Sequence, residues 1–221
     1  MADPYGPNGP TTPAASMVVA ALERAWQQIR AYHPELPQVV VIVAAGGETA
    51  RGLFKWGHFA AGRWHVAGAN RPEVLVGGEG LQRPTREVLG TLVHEAAHGL
   101  AHARRVQDTS RQGRYHNRRY ADLAVELGLQ VDHDQRIGWS ITRLGDVTAT
   151  SYAATLADLE AALVLWRHAE TPSRRTSSSR NLLACACGCG RRIRVARNTL
   201  EQAPIVCGAC DGLFEPTSNE N

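Results

Sequence analysis

The chain lacks the features that mark membrane-bound, secreted or disulfide-bonded proteins. No apolar run approaches the roughly 20 residues needed to cross a bilayer. The first residues, MADPYGPNGPTTPAAS, contain neither the basic segment nor the apolar core of a signal peptide. No cysteine precedes Cys185, so disulfides cannot hold the larger part of the chain together. We therefore expect a cytoplasmic protein without membrane contact, and a monomer, although the sequence does not fix the oligomeric state.

A strong imbalance of charge is also missing. The 24 basic and 21 acidic residues give a net charge of +3, too small for a protein dedicated to packing nucleic acid. Any basic surface must therefore be local. With 221 residues, 43% of them hydrophobic, the chain can form one medium-sized domain and one small one.

Composition divides the chain into two folded parts and three segments that cannot bury a core. Residues 1–13 contain four prolines and are expected to be a disordered tail. Residues 171–181, which include TPSRRTSSSR, are expected to form a flexible basic linker, and 217–221 a short tail. The folded parts are then a domain at 14–170 and a small cysteine-containing module at 182–216.

The apolar spacing predicts an α+β fold for the larger domain. The first predicted helix is capped at Thr12-Pro13 and runs to about Tyr32, and a buried strand follows at 39–45. A small antiparallel sheet is expected from three short stretches, 53–59, 63–66 and 73–76. Further helices are expected to begin at a Thr85 cap and to cover 116–127 and 153–168.

The second of these helices contains His94-Glu95-Ala96-Ala97-His98, an H-E-x-x-H pattern. Residues four apart lie one turn apart on the same side of a helix, so His94 and His98 can both reach one ion. Glu95 then projects beside them, toward a water bound to the ion. This spacing predicts a zinc site, because histidine nitrogen is a preferred zinc ligand.

A catalytic zinc site usually has three protein ligands and one open position. His102 cannot be the third ligand, because eight helical residues separate it from His94 by about 12 Å. A related zinc-binding pattern has a further histidine six residues after its second histidine. Arg104 occupies that position here, so this pattern does not supply the third ligand. His116, which follows a polar loop, is the best candidate. Two acidic residues of the next helix remain as rivals, Asp122 and Glu126.

Such a zinc ion would lower the pKa of its water and polarise a scissile carbonyl, with Glu95 as the general base. A group that stabilises the developing oxyanion should also exist. The sequence does not single one out, and Tyr115, Tyr120 and Arg118 are the candidates.

The cysteine module has the spacing of a second, structural zinc site. Cys207 and Cys210 form one C-x-x-C pair, and Cys187 and Cys189 are the preferred second pair, with Cys185 as a substitute. Two hairpins around one zinc ion would form a zinc ribbon. A module this small needs such a metal ion in order to fold. Three arginines, Arg191, Arg192 and Arg194, are candidates for contact with nucleic-acid phosphates.

Taken together, the motifs resemble those of the SprT-like family, which includes the Spartan proteases. The resemblance lies in HEAAH, in GRYHNRRYADLAVELGL with its later histidine and helix, in Gly138-Trp139, and in the C-x-C and C-x-x-C pairs. It implies a zincin-like metallopeptidase domain joined to a zinc ribbon, with His116 as the third ligand. It also implies protein substrates, with DNA-bound or DNA-crosslinked proteins as substrates of the best-known members, and hence DNA as a candidate partner.

A nucleic-acid-binding protein is the alternative hypothesis. In that case the ribbon and its arginines would do the binding, and the HEAAH domain would be a non-catalytic scaffold. Glu95 favours the enzyme, because a scaffold has no need of that carboxylate.

Overall fold

The computed structural model describes residues 13–48, 54–169 and 182–217, and divides the chain into two compact units, Met1–Ala169 and Glu170–Asn221. The predicted linker at 171–181 lies outside the described residues, as do the predicted tails except Pro13 and Thr217. Both helices and sheets are present, so the α+β class is confirmed. Among the described residues, no helix is both long and apolar enough to cross a membrane.

The larger unit contains five α-helices and nine strands in its described part. The helices are α1 (Ala14–Tyr32), α2 (Thr85–Ala103), α3 (Arg118–Glu126), α4 (Asp146–Ser151) and α5 (Ala153–Ala162). The first five strands are β1 (Val40–Ala44), β2 (Gly47–Glu48), β3 (Phe54–Lys55), β4 (Gly57–Val66) and β5 (Ala69–Gly77). The remaining four are β6 (Thr109–Ser110), β7 (Tyr115–His116), β8 (Leu129–Asp134) and β9 (Gly138–Leu144).

Helix α1 ends at Tyr32 as predicted, but Pro13 is its N-cap rather than part of its first turn, and the predicted cap Thr12 lies outside the described residues. Its buried side includes Val18, Leu22 and Trp26, which are almost fully shielded from solvent. The Trp26 indole N–H donates to the Pro37 carbonyl oxygen at 3.1 Å, which satisfies the polar atom of this buried ring. The helix ends before His33, since a residue that precedes proline disfavours the helical conformation.

The first sheet is mixed rather than purely antiparallel. Its strand order is β1-β5-β4, with β1 parallel and β4 antiparallel to β5. The two strands predicted at 53–59 and 63–66 are largely one strand, β4, which is irregular between Ala60 and Trp64. Gly62 has a positive φ of 62° there and accommodates the bulge.

A second sheet, of four strands, was not predicted. Its order is β6-β7-β9-β8, and β8 and β9 form an antiparallel hairpin. The Asp134 side chain accepts hydrogen bonds from the backbone N–H groups of Arg136 and Ile137 and so shapes the turn between them. The alternation of apolar and polar residues in LQVDHD, followed by this aspartate, was the available sequence signature.

Three predicted helix boundaries were wrong. The helix expected at 116–127 begins at Arg118, because the Asn117 side chain caps it by accepting from the N–H groups of Arg119 and Tyr120. The helix expected at 153–168 ends at Ala162. Beyond it the chain is extended, since the Arg167 N–H donates to the Gly78 carbonyl oxygen and its guanidinium pairs with Glu79. Thr85 is the first residue of α2 rather than its cap.

In its described residues, 182–217, the smaller unit forms a three-stranded antiparallel sheet and one short helix. Strand order is β11 (Arg192–Ala196), β10 (Leu182–Ala186) and β12 (Glu215–Pro216), and α6 (Arg197–Gln202) follows β11. Its small core contains Cys185 and Phe214, with Leu183, Ile193 and Val195 packed around them. The module is thus a compact sheet around its cysteines, with a helix that was not predicted.

Candidate metal centres

Helix α2 positions the first two candidate ligands. One side of it is buried in the main core through Val88, Leu89 and Leu92. His94 and His98 are half-buried, one turn apart, with ring centroids 5.4 Å from each other. The amphipathic spacing that forms the helix therefore also sets the separation of the two imidazoles.

The structure brings His94, His98 and His116 together. Each offers a ring nitrogen, and these nitrogens lie within 4.8 Å of one another. The Nε2 atoms of His98 and His116 are 3.1 Å apart. Two nitrogens bound to one tetrahedral zinc ion at about 2.0 Å are separated by about 3.3 Å. The three histidines therefore fit a metal ion of this size.

Two further side chains orient the helix histidines from behind. Thr142 Oγ1 lies 2.9 Å from His94 Nδ1, and Asp108 Oδ2 lies 2.5 Å from His98 Nδ1. Each contact occupies the Nδ1 atom and leaves Nε2 for a metal. A carboxylate behind a ligating histidine is a recurrent feature of metal sites and raises the basicity of the ligand. Neither residue was predicted, because β9 and the loop after α2 meet α2 only in the folded chain.

His116 reaches this group from β7. The strand is held by the His116 backbone N–H, which donates to the Ile137 carbonyl oxygen at 3.0 Å. Burial and the neighbouring His98 together lower the pKa of His116 to about 4, so the ring is neutral at pH 7. Burial likewise holds the pKa of His94 well below its usual value. Neutral imidazole is the form that binds metals.

His116 differs from the two helix histidines at its other ring nitrogen. Its buried Nδ1 has no hydrogen-bond partner among the described residues, while its Nε2 is the atom that lies beside His98 Nε2. A buried polar atom without a partner is costly, and an ordered water can satisfy it. The second nitrogen of His116, unlike those of His94 and His98, is thus left without a protein group that orients it.

The two rival ligands are engaged elsewhere. Asp122 is exposed and accepts from Arg118 at 3.0 Å, four residues earlier on α3. Glu126 accepts from Arg104 at 2.7 Å, and Arg104 also binds Glu35. His102, which was excluded as a ligand by its distance along the helix, is exposed. Neither acidic residue joins the histidine group.

The three candidate oxyanion stabilisers have different surroundings. Tyr120 is completely buried, and its ring packs on all three histidines at centroid distances of 4.4 to 5.0 Å. Its hydroxyl donates to the His94 carbonyl oxygen, at a long 3.4 Å. Burial raises the pKa of Tyr120 well above its usual value. Tyr115 contacts His133, and the Arg118 guanidinium lies over the Trp139 ring. The buried Tyr120 ring therefore packs against all three histidine rings.

Glu95 is a buried carboxylate, only 4% exposed. Burial raises its pKa, and the charges of His98 and Lys55 together with a hydrogen bond from the Phe59 backbone N–H partly oppose the rise. Strand β4 therefore passes directly over it. At Gly57, a Cβ atom would lie 2.6 Å from Glu95 Oε1, so only glycine leaves the carboxylate its present place.

The smaller unit contains a second group of metal-binding atoms. The Sγ atoms of Cys187, Cys189, Cys207 and Cys210 lie within 4.8 Å of one another. The Cys187–Cys189 and Cys189–Cys207 distances are 3.2 and 3.8 Å, and sulfurs on one tetrahedral zinc ion are about 3.8 Å apart. Cys185 is outside this group and packs in the core of β10. The four cysteines could therefore hold a metal ion without it.

Backbone geometry and thiol chemistry support this second group. Tight turns follow both pairs, with Gly190 N–H donating to the Cys187 carbonyl oxygen and Asp211 N–H to that of Cys207. Although burial opposes the change, hydrogen bonds from Cys189, Cys207 and the backbone bring the pKa of the Cys187 thiol to about 6. Thiolate is the form that binds metal.

The three predicted phosphate-binding arginines are all exposed. Arg192 and Arg194 lie on β11, two residues apart and hence on the same side of the sheet, and Arg191 immediately precedes the strand.

Comparison with family models, with curated proteins and with solved structures found no match to this chain.

Proposed function

We propose that the larger unit is a zinc-dependent endopeptidase with a zincin-like site that hydrolyses protein substrates. The observation that carries the proposal is the three-histidine group with Glu95 next to it on α2. Such a group has the ligands of a catalytic zinc site and leaves a fourth position open. The smaller unit is then a zinc ribbon whose metal, bound by Cys187, Cys189, Cys207 and Cys210, is structural.

Zinc bound by the three histidines would supply Lewis acidity and a water of lowered pKa. The chain itself supplies the proton transfers. Glu95 accepts a proton from the attacking water, whose oxygen bonds to the scissile carbonyl carbon, and delivers it to the amine as the C–N bond breaks. A carboxylate with a raised pKa suits both steps, because it gains and returns a proton near neutral pH more readily than an exposed one.

The edge of the first sheet formed by β4 is consistent with a peptide as the substrate. In the described part of the chain, β4 pairs with β5 on one side only, and at Gly57 and Phe59 it contacts Glu95. An exposed strand edge offers backbone donors and acceptors to an extended peptide. A peptide added along β4 would bring its own backbone carbonyls close to the candidate zinc site.

Zinc content and cleavage, measured on matched variants, test the proposal. We expect two zinc ions per wild-type chain, and time-dependent cleavage of an unfolded protein such as fluorescein-labelled casein. His116→Ala should lose one ion and the cleavage, whereas Asp122→Ala should keep both ions. If His116→Ala retains full zinc and full cleavage, the assigned site is wrong.

Nucleic-acid binding by the smaller unit, with the larger unit as a non-catalytic scaffold, remains the second candidate. It is favoured by the exposed positions of Arg191, Arg192 and Arg194. Proteins bound to DNA are a substrate class consistent with both candidates. Incubation of the zinc-loaded protein with a DNA-binding protein, with and without single-stranded DNA, separates them, because only the enzyme produces fragments.

A further inference from the structure

A continuous row of rings and guanidinium groups lies on the second sheet of the larger unit. The Arg111 guanidinium sits over the Tyr115 ring at 4.5 Å, and the Tyr115 hydroxyl lies 3.1 Å from His133 Nε2. The His133 and Trp139 ring centroids are 4.8 Å apart, and the Arg118 guanidinium lies 5.0 Å from the Trp139 centroid. We call these five residues the aromatic–arginine row.

The aromatic–arginine row is accessible and lies next to the histidine group. Arg111, Arg118 and His133 are exposed, and the two other rings are half-buried. Tyr115 immediately precedes His116, whose strand pairs with β9 at Gly138. Strand β9 has one more residue than β8 between their pairings at Ile141 and Gly138, and in this irregular stretch Trp139 lies beside His133 and packs partly against the main core. The row therefore lies beside the strand that supplies the third candidate ligand.

We propose that the aromatic–arginine row binds single-stranded nucleic acid, with bases stacking on the rings and guanidinium planes and phosphates on the arginines. Ring faces interleaved with guanidinium groups are the combination that recognises unpaired bases, since every base has a face that can stack. Only single strands present those faces. The row belongs to the larger unit, whereas the ribbon arginines belong to the smaller one, and the proposal does not depend on whether the protein cleaves peptides.

The charge around the aromatic–arginine row favours the binding of a polyanion. Segments 109–122 and 129–144 contain six arginines and three aspartates. All three aspartates are occupied, Asp122 by Arg118, Asp132 by Arg143, and Asp134 by backbone N–H groups. Within the described residues, no carboxylate pairs with Arg111 or Arg114. Positive charge therefore remains available at one end of the row.

The three rings favour a nucleic acid over an acidic peptide as the ligand of the row. Carboxylates of an acidic peptide would pair with Arg111 and Arg114 but would make little use of three adjacent rings. Stacking thus accounts for more of this surface than ion pairing does.

Fluorescence anisotropy with a labelled oligothymidine of about 15 nucleotides tests the proposal. The protein is the zinc-loaded full chain carrying Glu95→Gln, so that binding is measured without any cleavage. Trp139→Ala should raise the Kd about tenfold, because it removes a stacking surface. Trp139→Phe retains a ring and should stay within about threefold of the parent. Arg111→Gln should reduce the salt dependence, by about 0.7 in the slope of log K against log salt.

Matched controls make the result decisive. Trp64 is 40% exposed on β4, in the other sheet, and Trp64→Ala should leave the Kd unchanged. Zinc content and melting temperature verify that each variant is folded, and exposed His133→Ala replaces Trp139→Ala if the latter does not fold. The proposal is overturned if the parent does not bind, or if Trp139→Ala binds as tightly as Trp64→Ala. It also fails if a poly-glutamate peptide competes as well as the oligonucleotide, or if only Arg191→Gln, Arg192→Gln and Arg194→Gln weaken binding.

Discussion

Replacing Gly57 with alanine should move the Glu95 carboxylate while leaving the histidines in place. The added Cβ would lie 2.6 Å from Glu95 Oε1 and 2.8 Å from Thr91 Cγ2, whereas ordinary contacts begin at 3.4 Å. Gly57 is not in the left-handed region, so alanine strains no backbone angle. The conflict is therefore purely one of space.

Thr91 cannot relieve this conflict. Its hydroxyl accepts from Arg83 at 2.8 Å and donates to the Glu87 carbonyl oxygen at 3.1 Å, and the residue is buried in α2. The Glu95 side chain must then shift by roughly 1 Å, a displacement that can cost about 100-fold in rate. We expect kcat/KM to fall about 100-fold with zinc retained, and the free energy of unfolding to fall by about 1–3 kcal/mol.

The assay compares Gly57→Ala with Gly47→Ala for cleavage of labelled casein, zinc content and melting temperature. A Cβ at Gly47 meets no atom of the described residues within 4 Å, so this control should behave as wild type. If Gly57→Ala cleaves as fast as Gly47→Ala with zinc bound, the position assigned to Glu95 is wrong. Loss of zinc together with activity would likewise refute the explanation, because it would mean that the histidines had moved.

Three further predictions concern the two metal centres. Asp108→Asn should weaken zinc binding about 10- to 100-fold in a chelator competition, because it removes the charge behind His98, whereas exposed Asp122→Asn should not; equal affinities would exclude the orienting role. Cys187→Ser should lower the zinc content to one ion per chain and Cys185→Ser should leave it at two, as measured by atomic emission; one ion in Cys185→Ser would place that thiol in the site. Tyr120→Phe should retain cleavage within about threefold, because a hydrogen bond of 3.4 Å to a backbone carbonyl contributes little; a loss of about 100-fold or more would identify Tyr120 as the oxyanion stabiliser instead.

The parts of the site that could be predicted are those fixed by local periodicity. His94, Glu95 and His98 lie within five residues of one amphipathic helix, so helical geometry alone determines how their side chains are arranged. The Cys207–Cys210 spacing is local in the same sense. His116 was predicted as a candidate, but its strand was predicted as helix, because the apolar spacing of 116–127 does not show that Asn117 caps the helix.

The parts that were missed depend on contacts between distant segments. Thr142 lies 48 residues from His94, and nothing in the sequence of β9 connects the two. The second half of the helix predicted at 153–168 is extended because Arg167 binds Gly78 and Glu79, about 90 residues earlier in the chain. Such contacts can override the local helical preference, which amounts to only a few tenths of a kcal/mol per residue.

The central claim, that Glu95 is the general base of a zinc endopeptidase, is tested most directly by Glu95→Gln. The measurement is cleavage rate and zinc content on the same sample, with the wild-type protein beside it. Glutamine retains the size of the side chain but cannot accept the proton, so we expect two zinc ions, an unchanged fold, and cleavage reduced by about 10²- to 10⁴-fold. Cleavage at the wild-type rate in zinc-loaded Glu95→Gln would contradict the proposed mechanism.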